Sequence, residues 1–415
     1  MSAREAMRRG WCPSTLRPME TGDGWLVRLH PPGARLTPRQ LSQVAELAAA
    51  YGNGLVEISA RANLQIRGVS AASHPELVKA LLAADLVEEG GEGPQRLVLT
   101  SPLAGAESLA LAAEIERIGR ALVGLPAKTG IVVDDGGSLP LDDFPADLRL
   151  VARADGWVLG LTDGRWFGIL SPSQACARIA DLLSVLRDRH AADPSVRRMR
   201  DIPSAFLQGA LADLVPVAGP SPRDRKHIVG CFPDATIVNL PFGRADGAVL
   251  SRFSKAAQAA GAHEIRFSPF RGIACLGLST PESDMLLAEA RSLGLITDPG
   301  DPRLCVQACA GSPACARGEA PSMMDAATLA EATALLLREG LRVHVSGCAK
   351  SCAHPGPSDL TLVGRNGRYG VVIGGTTHDE AIAELDLCEL LARLQPGRDI
   401  HSRLHAAGRP AGRRA

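Results

Sequence analysis

The chain repeats itself, and a repeat of this length restricts the possible folds more than any single motif does. Val27-Arg-Leu-His-Pro-Pro-Gly33 is followed by a helical pattern over 38–51 and then by Glu57-Ile-Ser-Ala-Arg-Ala-Asn-Leu-Gln-Ile-Arg-Gly-Val69. The same order returns as Val238-Asn-Leu-Pro-Phe-Gly243, a helical pattern over 248–260, and Glu264-Ile-Arg-Phe-Ser-Pro-Phe-Arg-Gly-Ile273. A helical pattern comes next in each copy, over 74–84 and 281–293. Gln95-Arg-Leu-Val98 then matches Pro302-Arg-Leu-Cys305, and Asp147-Leu-Arg-Leu-Val-Ala-Arg153 matches Asp359-Leu-Thr-Leu-Val-Gly-Arg365. Even Gly10-Trp-Cys-Pro13 has a counterpart in Gly230-Cys-Phe-Pro233. The period is roughly 210 residues, far longer than a solenoid unit. Each half reads strand, helix, strand, helix, and then a second α/β unit. This order predicts a duplicated α+β fold whose leading units have a split βαβ, ferredoxin-like layout.

The repeat divides the chain into a ferredoxin-like half-domain over 1–88 and an α/β domain over 89–215. A second ferredoxin-like half-domain over 216–297 and a second α/β domain over 298–400 follow. Between the halves, Ala175, Ile179, Leu182, Leu183 and Leu186 fall near one face of an amphipathic helix over 172–188. The Pro- and Arg-rich stretch 216–225 is expected to be a connector. The Arg/Gly/Ala-rich tail 401–415 is expected to be disordered. With 45 basic and 45 acidic residues, the chain has no global basic field, and nucleic acid is not an expected partner. No apolar run reaches the ~18 residues of a membrane span, and 1–10 lacks an apolar signal core. A cytoplasmic protein is expected, and in a reducing compartment clustered cysteines act as metal ligands or redox groups rather than disulfides.

Four of the ten cysteines stand in Cys309-Ala-Gly-Ser-Pro-Ala-Cys315 and Cys348-Ala-Lys-Ser-Cys352. The repeat aligns Arg303-Leu-Cys-Val-Gln-Ala-Cys309 with the thiol-free Arg96-Leu-Val-Leu-Thr-Ser-Pro102, so one copy carries a site and the other does not. Four thiolates suit tetrahedral zinc or an iron–sulfur cluster. Structural zinc normally uses tight C-x2-C knuckles; the wider x5 and x3 spacings fit a larger cubane. Gly311, Pro313 and Gly347 allow the backbone to wrap such a cluster and aim N–H groups at it. Cys305 is either a fifth ligand or a core cysteine on a strand. Cys12, Cys231 and Cys275 read as structural, and Cys176 and Cys388 as buried on apolar helix faces.

The C-x5-C…G-C-x3-C arrangement in the second half of a duplicated chain resembles the sirohaem-dependent sulfite and nitrite reductases, over nearly the whole length. The resemblance implies a duplicated, pseudo-two-fold nitrite/sulfite reductase-like architecture with ferredoxin-like half-domains and two α/β domains. It also implies a [4Fe–4S] cluster on Cys309, Cys315, Cys348 and Cys352, with Cys352 nearest the tetrapyrrole. Arg61-Ala-Asn-Leu-Gln65-Ile-Arg67-Gly68 looks like the family's R-x3-Q-x2-G element, and Leu125-Pro-Ala-Lys128 its L-P-x-K. Arg61, Gln65, Arg67, Arg96 and Lys128 are thereby expected to bind substrate, since a guanidinium grips a carboxylate through two hydrogen bonds.

Where reductases carry a further lysine, this chain has Gly130. Gly10-Trp-Cys-Pro-Ser14, Pro18-Met-Glu-Thr-Gly-Asp-Gly24 and Asn63-Leu-Gln-Ile-Arg-Gly68 look like one branch of the superfamily, the precorrin-3B synthases of aerobic cobalamin biosynthesis. In that branch the tetrapyrrole, precorrin-3A, is a substrate. The implied reaction is an oxygen-dependent hydroxylation at C20 with γ-lactone formation. The resemblance also implies a non-haem iron, for which His354 is the local candidate ligand, with a structural role as the alternative. No GxGxxG fingerprint joins a strand to a helix, so an external reductase is expected to supply electrons. A sirohaem-dependent reductase and a non-catalytic cluster or tetrapyrrole carrier are the competing readings.

Overall fold

The computed structural model describes residues 11–87, 96–224, 227–394 and 403–404. Apart from 403–404, the tail expected to be disordered lies outside the described residues.

Two sheets have the same order and nearly the same register. One runs Met19–Thr21, Gly24–Leu29, Leu64–Val69, Leu55–Ile58, and ends on Arg244–Asp246. The other runs Gly230–Phe232, Ala235–Asn239, Gly272–Leu276, Glu264–Ser268, and ends on Arg35–Leu36. Each sheet therefore takes its last strand from the opposite half of the chain: Arg244 pairs with Glu57, and Arg35 with Arg266. Both pairings are antiparallel. The two ferredoxin-like halves are built as one interlocked body.

Helices Pro38–Tyr51 and Gly247–Ala259 seal this body. Thr37 and Gln40 form a capping box with Pro38 in the first turn, a start signal worth about 1 kcal/mol. Leu41, Val44, Ala45 and Ala48 recur at helical spacing and are buried against Leu250, Phe253 and Ala257 in one core. Small residues bring the helices close. A Cβ at Gly247 would lie 2.7 Å from the Ala45 carbonyl oxygen, and the Ser42 and Ser251 hydroxyls are 3.0 Å apart.

The other two sheets also match each other. Val98–Thr100, Ile131–Asp134 and Leu148–Arg153 are parallel neighbours, and Gly156–Leu161 and Trp166–Leu170 extend the sheet antiparallel. Val306–Ala308, Val343–Ser346, Ser358–Arg365, Arg368–Gly375 and Ala383–Leu385 repeat that pattern. Parallel strands need crossovers; helices Ala106–Ala121 and Ser322–Ala332 supply the first in each sheet, and loops supply the second. The long helix Pro172–Ala192 covers the first of these sheets with Ala175, Ile179, Leu182, Leu183 and Leu186 buried.

The halves differ most in one connection. Between the first strand of the sheet and its crossover helix, residues 101–105 suffice in the first half, while residues 309–321 fill the same place in the second.

Candidate functional site

The long connection carries Cys309 and Cys315, and the loop after Val343–Ser346 carries Cys348 and Cys352. Glycine makes the two loops fit. Gly311 has φ +62°, and a Cβ there would lie 2.4 Å from the Ser322 hydroxyl, a position closed to other residues. The Gly347 N–H donates to Cys309 Sγ at 3.2 Å. Burial raises the Cys348 thiol above its ordinary pKa, and Cys309 and Cys315 push it the same way. Cys352 keeps exposed surface, yet desolvation raises its thiol to about 11, against the pull of Lys350 and with the other three cysteines adding to the rise. The four sulfurs thus lie within electrostatic reach of one another.

Among the described residues, however, no three His, Cys, Asp or Glu side chains converge on the position of a single ion. Four soft thiol donors on two adjoining loops suit a cubane, in which each thiolate binds a different iron. The residues present fit a [4Fe–4S] cluster held by Cys309, Cys315, Cys348 and Cys352. Among the described residues no 2-His-1-carboxylate group for the expected non-haem iron is preformed. His354 is turned to its own loop. Its Nε2 is 3.2 Å from the Pro357 carbonyl, and Ser351 Oγ donates to the His354 carbonyl.

The turn between strands Leu55–Ile58 and Leu64–Val69 brings Arg61 to the loop that carries Lys128. Its Nη2 donates to the Lys128 carbonyl at 3.1 Å. A Cβ at Gly130 would stand 3.3 Å from that same Nη2, so the glycine leaves the room in which the guanidinium lies. Arg198 also donates to the Lys128 carbonyl, and it pairs with buried Asp147 at 2.7 Å. Asp147 in turn accepts from the Gly130 and Met199 N–H groups. Desolvation and the Arg198 charge both lower the Arg61 pKa. Lys128 is lowered by burial and by Lys350, Arg198 and Arg61. Lys350 stands inside the C-x3-C loop. Arg61, Lys128, Arg198 and Lys350 therefore form one crowded cationic group, drawn from both halves and beside the thiols. Arg96 bonds the Ala62 carbonyl and Asn63 Oδ1 behind Arg61.

Two of the expected substrate binders are held by partners inside the protein. Arg67 has a side chain only 4% exposed, paired with Asp23 at 2.7 Å and Glu57 at 3.4 Å. Its Nη2 also donates to the Ala314 carbonyl at 2.6 Å, inside the C-x5-C loop. Gln65 is buried. It accepts from Arg28 at 2.7 Å and donates to Glu57 at 2.9 Å. Both side chains are engaged in a hydrogen-bonded network inside the protein.

Several contributors were not picked out in the sequence. Arg271, at φ +66°, donates to the carbonyl of Ala353, next to Cys352, at 2.9 Å. His344 is fully buried with both ring nitrogens unpartnered, and its ring lies 5.8 Å from that of His354. Cys12, read as structural, sits among Arg28, Arg61 and Lys128 with its thiol donating to the Ala127 carbonyl. Cys305 lies apart from the quartet, its sulfur engaged by the Leu337 carbonyl and Arg342, and it ends a 3-10 turn instead of lying on a strand. Cys388 is exposed on its helix, not buried as expected. Lys350 could have been found, because it stands inside a cysteine motif; Arg198 and Arg271 have no local signal.

His30 is buried beside Arg28 and Arg96. Burial first, and then those two charges, lower its pKa to about 3. The unfolded chain takes up this proton below about pH 6.5 and the folded chain does not, so stability is lost as pH falls from about 6.5 toward 3. Urea titrations should show unfolding free energy dropping by about 1.4 kcal/mol per pH unit for this residue. His30→Gln should make that slope shallower by one proton.

Comparison with known proteins places this geometry in a family. Residues 17–84 match the nitrite/sulfite reductase ferredoxin-like half domain. A precorrin-3B synthase from Sinorhizobium sp is 34% identical over 414 residues, covering 94% of this chain and 88% of that protein. A sulfite reductase [ferredoxin] from Mycolicibacterium paratuberculosis is 24% identical, over 85% of this chain and 73% of its own length. The solved structure of Mycobacterium tuberculosis NirA shares the fold with a TM-score of 0.69 at 20% identity, covering 93% of this chain and 85% of that one. Among the described residues no helix is long and apolar enough to cross a membrane. The chain is an enzyme that belongs to the precorrin-3B synthase family, a branch of the nitrite/sulfite reductase superfamily.

Proposed function

We propose that the protein hydroxylates precorrin-3A at C20, with closure of an acetate arm to a γ-lactone, giving precorrin-3B. The observation that carries this reading is the cationic group beside the thiol loops. Arg61, Lys128, Arg198 and Lys350 gather there, with Asp147 as the carboxylate that pairs with Arg198. An excess of cations in a half-buried place is built for a ligand with several carboxylates, and precorrin-3A carries acetate and propionate arms. Arg61 uses one N–H on Lys128, and a guanidinium has further donors for a carboxylate. The basic side chains orient the macrocycle and neutralise its arms, while Asp147 fixes the direction of Arg198.

When bound, the cluster supplies single electrons. One oxygen atom of dioxygen enters the substrate and the other leaves as water, with two electrons and two protons drawn from a separate reductase. A neutral oxidant needs no additional lysine, which suits Gly130.

The test is an absorption and EPR spectrum of anaerobically purified protein with iron and sulfide analysis, followed by turnover under labelled dioxygen. About four sulfides per chain, no sirohaem, and label in the product are expected. Stoichiometric sirohaem with sulfite or nitrite reduction would overturn the reading in favour of a reductase. Tetrapyrrole binding without turnover would leave a carrier.

A further inference from the structure

The duplicated fold contains its own comparison for the role of Arg67. The turn between the first two strands of the first sheet, Gly22 and Asp23, lies directly against the C-x5-C loop: a Cβ on Gly22 would be 2.2 Å from the Pro313 carbonyl oxygen. Asp23 then holds Arg67 through two parallel bonds, Nε to Oδ2 at 2.9 Å and Nη2 to Oδ1 at 2.7 Å. Burial opposes the ionisation of Asp23, but the Arg67 hydrogen bond and charge hold its carboxyl below the usual range. Glu57 closes the other side, itself held by Arg244 at 2.5 Å and Gln65 at 2.9 Å. A guanidinium fixed on two sides by carboxylates has the second N–H of Nη2 aimed in one direction, at Ala314.

Register identifies the counterparts in the other sheet. Glu57 stands opposite Gln65 and Arg244; Arg266 stands opposite Ala274 and Arg35. Two positions beyond Gln65 is Arg67, and two beyond Ala274 is Leu276. Asp234 takes the place of Asp23. The paired-carboxylate clamp is therefore absent from the copy that faces the short, thiol-free connection. There Arg266 reaches the Pro102 and Ala104 carbonyls from a different position, at 3.2 and 2.8 Å. A cavity of about 540 Å³ remains beside it, lined by Arg35, Leu103, Gly105, Asp234, Arg266 and Leu276. Where the thiol-bearing loop sits, the clamp and a close-fitting glycine are present; where it does not, both are replaced.

We propose that Arg67, clamped by Asp23 and Glu57 and assisted by the Gly22 turn, is a positioning residue that holds the Cys309–Cys315 loop in the shape that retains the cluster. The proposal rests on the cluster reading above.

The experiment compares wild type, Arg67→Met, Gly22→Ala and Arg266→Met. Each is reconstituted anaerobically, and iron and sulfide per chain, the EPR line shape of the reduced protein, the rate of iron loss to a ferrous chelator and the thermal midpoint are measured. Arg67→Met and Gly22→Ala should lose iron about tenfold faster or more, with a broadened EPR signal. Arg266→Met, at a less buried arginine that braces the other loop, should match wild type. Gly22→Ala keeps the Arg67, Asp23 and Glu57 side chains, so it tests the fit of the turn against the loop even where Arg67→Met fails to fold. Wild-type rates of iron loss in Gly22→Ala, or equal acceleration in Arg266→Met, overturn the positioning role alone. Failure of wild type to take up iron and sulfide overturns the cluster reading itself, and this proposal with it.

Discussion

Cys348→Ser is expected to yield a folded, monodisperse protein with neither the iron nor the sulfide of wild type. Turnover of precorrin-3A should fall to the level of a protein-free control. The reason is chemical. A serine hydroxyl is a hard donor with a far higher pKa than a thiol, and it does not replace a thiolate on iron. The fold should survive because the core of that domain is built elsewhere, from Val306, Val345, Leu360, Leu362 and Val371. Cys305→Ser provides the internal control: its sulfur bonds Leu337 and Arg342 instead of facing the quartet, so iron and sulfide content should be unchanged. Full iron and sulfide in Cys348→Ser would refute the ligand assignment.

The second large effect concerns the cationic group. Removing a charge-assisted hydrogen bond costs about 1.5–3 kcal/mol, so Arg61→Ala or Arg198→Ala should weaken tetrapyrrole binding by roughly tenfold to a hundredfold. Arg61→Lys should recover only part of this, because a point charge cannot reproduce the two-pronged grip. Gly130→Lys is more informative, since it restores the residue typical of the reductases. Its Cβ would lie 3.3 Å from Arg61 Nη2, so the new side chain and the guanidinium compete for one space. It should impair binding about as much as Arg61→Ala, although it adds a positive charge. Absorbance titrations at rising ionic strength check both claims: wild-type affinity should fall with salt, and Gly130→Lys should not exceed it at any salt. Tighter binding by Gly130→Lys would show that charge alone, not the placement of Arg61, governs recognition.

The duplication was legible in the sequence because it is written in whole segments, each with its own strand or helix periodicity. The cysteine quartet was legible for the same local reason: two short spacings announce four donors. The exchange of edge strands was not, because Arg35–Leu36 and Arg244–Asp246 are too short to carry an alternation of apolar and polar residues. The site was half-legible. Arg61 and Lys128 stand in recognisable motifs, but Arg198 reaches them from a distant 3-10 turn, and only the folded chain brings it to Lys128 and Asp147. Arg67 stands in a motif as well, and the folded chain places it in an ion-pair network with Asp23 and Glu57. A motif names a residue type at a spacing; it does not say that Asp23 and Glu57 will enclose the guanidinium.

The interlocked strands bear on the order of events during synthesis. When the ribosome has released the first half, the strand Leu55–Ile58 still has an open edge, because its neighbour Arg244–Asp246 has yet to emerge. The second sheet waits in the opposite sense, since its missing strand, Arg35–Leu36, is made long before the rest. Neither half can close its sheet alone, and an exposed edge is an invitation to pair with the wrong chain. The thiol-bearing loops come later still. The surface on which the Cys309–Cys315 loop rests, with Gly22, Asp23 and Arg67, is therefore completed only after most of the chain exists. Iron and sulfide would then be received by a nearly finished protein, not by a nascent one.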